Sequence, residues 1–416
     1  MTSPTSKNRN QGPESCNERN ARGRQGGQAL LTFVFFLVVL ILLTGLGIDV
    51  SFAYITKANL SKAVDAACLA GMRSLGQGTI TASAVANSTF AANYGRPGRD
   101  TGPVTPSIVL GVDANNNKTV TIGATATINT FFIRVFPLWK TLHVSASGQA
   151  TRAKLVMSLV LDRSGSMNGN GGAANLPGAV TNFVNYFDDT YDRMSMNSFS
   201  YHARTDVAMG KPFKASIAAA VRNLVFDGWT ASEPGLAKGL QQNQSVVIAP
   251  GEDVVKVIVF FTDGLANTFQ YTFNCGVRNI SPDRSLYDPN TGAPASSGCT
   301  IPSSIPSVSP PPATVNTSDS CAMETEAQKR AVAMAALARQ QGNIIYAVGL
   351  GNPNGLKECG FPPINPDFLK QVANDPTSPS FNPNEPAGEA LLTSNATQLQ
   401  ALFQQIAAKI LLRLSQ

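Results

Sequence analysis

The sequence predicts an α/β protein: a doubly wound, mostly parallel sheet, preceded by a transmembrane helix and a small α+β stalk module. Three observations lead there. The near-continuous apolar runs VMSLVLD, KVIVFFTD and NIIYAVGLG have the composition of strands buried on both faces of a parallel sheet. Helix-like stretches lie between them, and strands separated by helices argue for a doubly wound arrangement. Far upstream, Ala29 to Ile48 is a run of 20 residues without a charge. As a helix it would span about 30 Å, the depth of a bilayer core.

Composition narrows the function classes. Hydrophobic residues are 43% of the 416, enough for a core, which excludes wholesale disorder. Charged residues are only 14%, against about 25% in an average soluble protein. Such a surface relies on Ser, Thr, Asn and Gln and suits an envelope or extracellular protein better than a cytosolic enzyme. The net charge is +6 and forms no Lys/Arg stripe with aromatics, so no nucleic-acid partner is expected. The two histidines, His143 and His202, stand too far apart in sequence for a His-based zinc site. A Ser-His-Asp triad would have to draw on one of them, and neither lies by sequence near the sheet's C-terminal rim.

Residues 1–28 carry Lys7, Arg9, Arg19, Arg22 and Arg24 against Glu14 and Glu18, a net +3 packed before the span. The positive-inside rule keeps this tail cytoplasmic and places everything after Ile48 on the far side. No A-x-A signal follows Ile48, so residues 29–48 read as a retained single span rather than a cleaved signal peptide.

Residues 49–152 read as the stalk module. A Pro-free, Ala-rich helix continues from Asp49 to about Leu75, and a second helical stretch runs from Ala82 to Tyr94. Gly95-Arg96-Pro97-Gly98 then breaks it. SIVLGVD and KTVTIGATATI flank a turn at Ala114–Asn117, and the second run alternates apolar residues with Thr as a half-buried strand does. HVSASGQATR closes the module.

Residues 153–416 carry the three apolar strands, with helices at Asn175–Phe187, Lys214–Leu224, Glu233–Gln242 and Thr325–Gln341 and a weaker strand at Met194–Ser200. An insertion at about 265–323 interrupts the pattern. Half of residues 281–312 are Pro or Ser, so no compact helix or strand is expected there. Leu399, Phe403, Ile406, Ile410 and Leu414 fall on one face of a C-terminal helix that packs on the sheet. Cys275, Cys299, Cys321 and Cys359 lie on the oxidising side and are expected to form two disulfides, with all three pairings open. Cys16 should stay reduced, and Cys68 reads as a small buried residue.

The first apolar strand ends in Asp162, within LVLDRSGSM, so that Asp162, Ser164 and Ser166 follow a D-x-S-x-S spacing. A second strand ends in Thr262-Asp263-Gly264, and Gly228-Trp229-Thr230 precedes a helix between them. Carboxylates at the C-terminal ends of buried strands sit where open α/β sheets place their ligands. Asp162, Ser164, Ser166, Thr230 and Asp263 are all oxygen donors. Two carboxylates and three hydroxyls suit a hard divalent ion, Mg²⁺ or else Mn²⁺ or Ca²⁺, which takes oxygen ligands and keeps waters.

LVLDRSGSM, the Thr after Gly-Trp, and FFTDG resemble the metal-ion-dependent adhesion site of von Willebrand factor type A domains, a Rossmann-like fold. The resemblance covers Ala153 to Gln416 apart from the insertion. In this family the Thr usually follows Gly-Gly or Gly, so Trp229 is a departure. The segment QALLTFVFFLVVLILLTGLGIDVSFAYITKANLSKAVDAACLAG resembles the TadE/TadG-like part of Tad/Flp pilus-assembly proteins. Thr32 stands fifth after Gly27, where prepilin-like relatives carry Glu, which argues against peptidase processing. Span, stalk and adhesion-type domain in this order look TadG-like. The resemblance implies a non-enzymatic pilus-assembly or adhesion protein in a bacterial inner membrane, with its bulk periplasmic or extracellular. It implies that the ion leaves one position for an acidic residue of a protein partner, another pilus component or a surface ligand. A small-molecule substrate is not implied. The loop Asn168–Ala174, polar and glycine-rich, is expected to adapt to that partner, and Asn168, Asn170, Trp229 and Glu233 form the expected rim. The alternatives are a metal-independent structural envelope protein and a hydrolase using Ser164 or Ser166.

Overall fold

A computed structural model describes residues 25–95, 102–115, 117–135, 139–295, 297–308 and 313–415. The basic tail before Gln25, with Cys16, and the Arg96-Pro97-Gly98 break lie outside the described residues.

Helix α1 (Gln25–Ser74) runs 50 residues without interruption. The expected span and the helix beyond it are one element, as the absence of Pro allows. Its first half shows Leu31, Phe33, Phe35, Phe36 and Leu43 more than 60% exposed, and an 18-residue window reaches a mean hydropathy of 2.9. Helix α2 (Thr79–Asn93) follows. Strands β1 (Ser107–Val112), β2 (Lys118–Asn129) and β3 (Thr141–Arg152) form a three-stranded sheet in that order.

The chain divides into two compact units, and the division runs through the expected stalk module. The smaller one comprises the described part of Met1–Ser61, Tyr94–Thr105 and Ala124–Ala146. The larger comprises Lys62–Asn93, Pro106–Gly123 and Ser147–Gln416. Within the larger unit Ala63, Val64, Ala67, Cys68, Met72, Ala86 and Phe90 are buried.

The larger unit continues with β4 (Lys154–Asp162), α3 (Gly172–Val184), β5 (Arg193–Phe199), β6 (Ala203–Gly210), α4 (Lys214–Arg222), α5 (Ser232–Gln244) and β7 (Val254–Thr262). After the insertion come α6 (Ser320–Gln340), β13 (Asn343–Leu350), α7 (Pro366–Ala373), β14 (Glu389–Thr393) and α8 (Leu399–Leu414). The six strands stand in the order β14-β13-β7-β4-β5-β6. All pair in parallel except β6, which is antiparallel to β5. The apolar runs are the central strands. The edge strands β6 and β14 are half-exposed and left little apolar signal in the sequence.

Both faces of the sheet are covered. Leu155, Met157, Leu159 and Leu161 of β4 pack with Phe183, Ile217, Phe403 and Ile410 from α3, α4 and α8. Val160, Ile258, Phe260 and Ala347 pack with Leu236, Ala331 and Phe368 from α5, α6 and α7. Near the start of β4 the buried Arg152 guanidinium donates to both oxygens of Asp192, at 2.8 and 2.6 Å, and Asp192 also accepts the Leu155 amide. That ties the start of β4 to β5.

The insertion departs from expectation. It folds into β8 (Phe269–Phe273), β9 (Gly276–Ile280) and β10 (Leu286–Tyr287) as one antiparallel sheet, and β11 (Ser304–Pro306) and β12 (Thr314–Asn316) as another. Pro and Ser dilute its composition, but Phe269, Ile280, Leu286, Ile305 and Val315 point inward and join the second core. Asp319 caps α6 by accepting the Cys321 and Ala322 amides, so that helix starts at Ser320, before Thr325. The four distal cysteines pair as Cys275–Cys299 and Cys321–Cys359, and Cys68 is free and buried.

Candidate metal centre

β4 and β7 are adjacent and parallel, so their C-terminal ends meet at one rim. Asp162 closes β4, and Asp263 follows directly on β7. The turn after Asp162 brings the two serines back toward Asp263. Ser166 Oγ donates to Asp263 Oδ1 at 2.8 Å, Ser164 Oγ lies 3.4 Å from that oxygen, and the two serine hydroxyls are 3.0 Å apart. Asp162 Oδ1 accepts the Ser164 amide at 2.7 Å, and its Oδ2 accepts the Thr262 hydroxyl at 2.6 Å.

Thr230 is buried and lines the same cleft as Ser166 and Gly264. Its amide donates to Asn267 Oδ1, and its carbonyl accepts the Asn267 and Thr268 amides. Two backbone bonds zip the neighbouring loops: Gly165 N–H to the Gly228 carbonyl, and Asp227 N–H to the Arg163 carbonyl. Gly228 has φ +87°, and a Cβ there would stand 2.3 Å from the Tyr201 ring, so only glycine fits.

Burial raises the pKa of both acids. Asp162 is pushed up to about 7, by desolvation first and then by the Asp263 charge. Asp263 is raised by desolvation against the hydrogen bonds from Ser166, Asn170 and Ser164. Ionising both carboxylates in this setting is costly, and a positive charge beside them offsets that cost.

The rim differs from the sequence reading. Asn170 is no free loop residue. It donates to Asp263 Oδ2 at 2.6 Å and accepts the Gly172 amide, which fixes the segment expected to adapt. Asn168 donates to the Phe226 carbonyl, and Trp229 is half-buried. Glu233, in the first turn of α5, accepts the Gln270 amide, and burial raises its pKa. It therefore faces β8 rather than displaying its charge at the rim. His202 follows β5 at the same C-terminal rim as Asp162, contrary to the placement read from sequence, because β4 and β5 run parallel in register. Its ring lies 3.5 Å from the Arg163 guanidinium, and desolvation followed by the charges of Arg163 and Arg204 lowers its pKa to about 4. Among the described residues, neither histidine is hydrogen-bonded to Ser164 or Ser166.

Two contributors carry no sequence signal of their own: Thr262, which orients Asp162, and Asn267, which clamps Thr230. The cleft beside Ser166 and Thr230 is also lined by Glu324, Leu356, Glu358 and Phe361. The Cys321–Cys359 bond holds Glu358 and the start of α6 together. Burial and then the Glu358 charge raise the Glu324 pKa. Among the described residues no three His, Cys, Asp or Glu side chains converge on a metal-sized site, so hydroxyls must supply part of any ligand set here.

Residues 27–74 match the family described as putative Flp pilus-assembly TadE/G-like, and residues 157–280 match the von Willebrand factor type A domain. No curated protein matches the chain. Among solved structures, the chain is similar to the vWF domain of the type V pili tip protein Mfa5 from Porphyromonas gingivalis, at 15% identity and a TM-score of 0.42, covering 64% of this chain and 97% of that one. It is similar to the PilB minor pilin from Streptococcus sanguinis at 14% identity and a TM-score of 0.40, covering 75% and 79%. It is also similar to proximal thread matrix protein 1 from the mussel byssus, solved with a zinc-occupied MIDAS motif, at 17% identity and a TM-score of 0.35, covering 62% and 46%.

Proposed function

We propose that this chain is a pilus-assembly or adhesion protein held in a bacterial inner membrane by the α1 span. On this reading its type A domain binds a divalent cation at the rim and uses it to capture an acidic residue of a protein partner. The family matches at 27–74 and 157–280 support the two-part reading. The observation that carries the metal reading is the spacing of the rim oxygens. Octahedral Mg²⁺ with ligands at about 2.1 Å places neighbouring oxygens roughly 3 Å apart. Ser164 Oγ, Ser166 Oγ and Asp263 Oδ1 are separated by 3.0, 2.8 and 3.4 Å, the dimensions of one face of such an octahedron. Asp162 and Thr230 would complete the protein's share, and the two raised carboxylates supply the charge a dication compensates. When bound, the ion supplies an electrophilic position that a partner carboxylate can occupy in place of water.

A hydrolase is disfavoured, because Ser164 and Ser166 need a base within reach. His202 is turned to Arg163 instead.

The test is Asp162→Ala in the full chain. Calorimetric titration should show Mg²⁺ binding to the parent and its loss in the variant, with circular dichroism unchanged. Equal binding by both would refute the assignment. Binding by neither would leave the metal-independent envelope protein as the better reading.

A further inference from the structure

We propose that the turn Phe131–Val135, together with Trp139, is seated in the lipid interface of the same bilayer that α1 crosses. The smaller unit then holds the membrane through two elements. The inference rests on reading α1 as a membrane span.

The argument starts at Asp49, the first charge after the apolar run. A carboxylate leaving a bilayer would ordinarily face water, yet Asp49 is 1% exposed. Its Oδ1 accepts the Phe131 amide at 2.8 Å, and its Oδ2 accepts those of Phe132 and Ile133 at 2.8 and 2.9 Å. Three successive amides on one carboxylate fasten this turn to the end of the span.

The turn also reaches below that end. A Cβ on Gly45 would stand 2.4 Å from the Phe132 ring, so Phe132 lies against α1 at that level. Gly45 precedes Asp49 by four residues, about 6 Å along a helix axis. Phe132 is therefore level with the apolar run and not with the charges beyond it.

The outward side matches a lipid boundary. Phe131, Val135 and Trp139 are 62, 70 and 54% exposed. Arg134 lies among them in sequence and Lys140 directly follows Trp139. Aromatic rings gather at bilayer interfaces, and long cationic side chains extend from there to phosphates. Non-helical backbone near lipid must satisfy its donors internally. Besides the three amides on Asp49, Val135 N–H reaches the Phe132 carbonyl, Thr130 N–H the Lys140 carbonyl, and the Thr130 hydroxyl the Trp139 carbonyl. Continuity with the span favours lipid over a second copy as the occupant.

Trp139 and Trp229 are the chain's two tryptophans, so single-tryptophan variants report each site. Full-length Trp229→Phe and Trp139→Phe proteins would be placed in phosphatidylcholine–phosphatidylglycerol vesicles carrying acyl chains brominated near the headgroup. Trp139 should be quenched, while Trp229 should lose no emission. Adding Asp49→Leu to Trp229→Phe should return Trp139 to the unquenched level. Carbonate extraction of the same vesicles separates the two readings. A chain retained in the membrane with Trp139 unquenched overturns the seated turn and leaves the span standing, with another protein surface covering the face. A chain released by carbonate overturns the span and this inference with it.

Discussion

Asp162 and Asp263 make the rim sensitive to pH in a direction the geometry fixes. Both pKa values lie above the ordinary 3.8, that of Asp162 at about 7. Between those values the folded, metal-free chain keeps a proton that the unfolded chain has lost. This contribution to stability is full below the unfolded pKa and is lost as pH rises through the folded one. A bound dication offsets the loss only where both carboxylates are ionised. Magnesium should therefore raise the melting temperature at about pH 8 and leave it nearly unchanged at about pH 5. Scanning fluorimetry at both values checks this, and Asp263→Asn should abolish the difference. The residues of this pair were legible in the sequence, because D-x-S-x-S is local and strand ends are visible as breaks in apolar runs. Thr262, Asn267, Glu324 and Glu358 were not, since their roles depend on which loops the sheet order and a disulfide bring together. Asn170 was placed at the rim, but its bond to Asp263 could not be read from a glycine-rich stretch.

At the scale of elements, α5 lies on β4 with Gly239 at the contact. A Cβ on Gly239 would stand 2.6 Å from Val160 Cγ2, and Val160 is fully buried. The β-branched valine has little freedom to yield. Gly239→Ala should gain up to about 1 kcal/mol of helix propensity and lose more to overpacking, a net destabilisation of about 1–2 kcal/mol. Gly178, inside α3, is the control, because a Cβ added there would meet nothing within 4 Å. Gly178→Ala should stabilise by about 0.5–1 kcal/mol. Urea unfolding of both variants distinguishes the two signs. The apolar central strands were legible because their runs are long, and most covering helices were legible between them; the eight-residue α7 was not. The insertion misled because its apolar residues are few and spaced, although Phe269, Phe273, Ile280, Leu286, Ile305 and Val315 reach the core.

For the molecule as a whole, the two disulfides lie outside the six-stranded sheet. Reduction should leave the sheet intact and free the segments they tie. Limited proteolysis should cut within about 274–300 and 351–361 only after reduction, with the far-ultraviolet circular dichroism of the folded chain unchanged. A long apolar helix near the N-terminus, followed by an α/β domain, was legible in the sequence. The division into two compact units was not, because it depends on which parts of α1, β2 and β3 each body takes up. The Cys321–Cys359 bond has one more consequence. In reducing surroundings Glu358 and the start of α6 are unlinked, so the cleft beside Thr230 acquires its finished wall only in an oxidising compartment. Were the proposed partner capture to use that wall, it would be tied to cellular address: a copy retained among cytosolic thiols would carry the same sheet but lack this link.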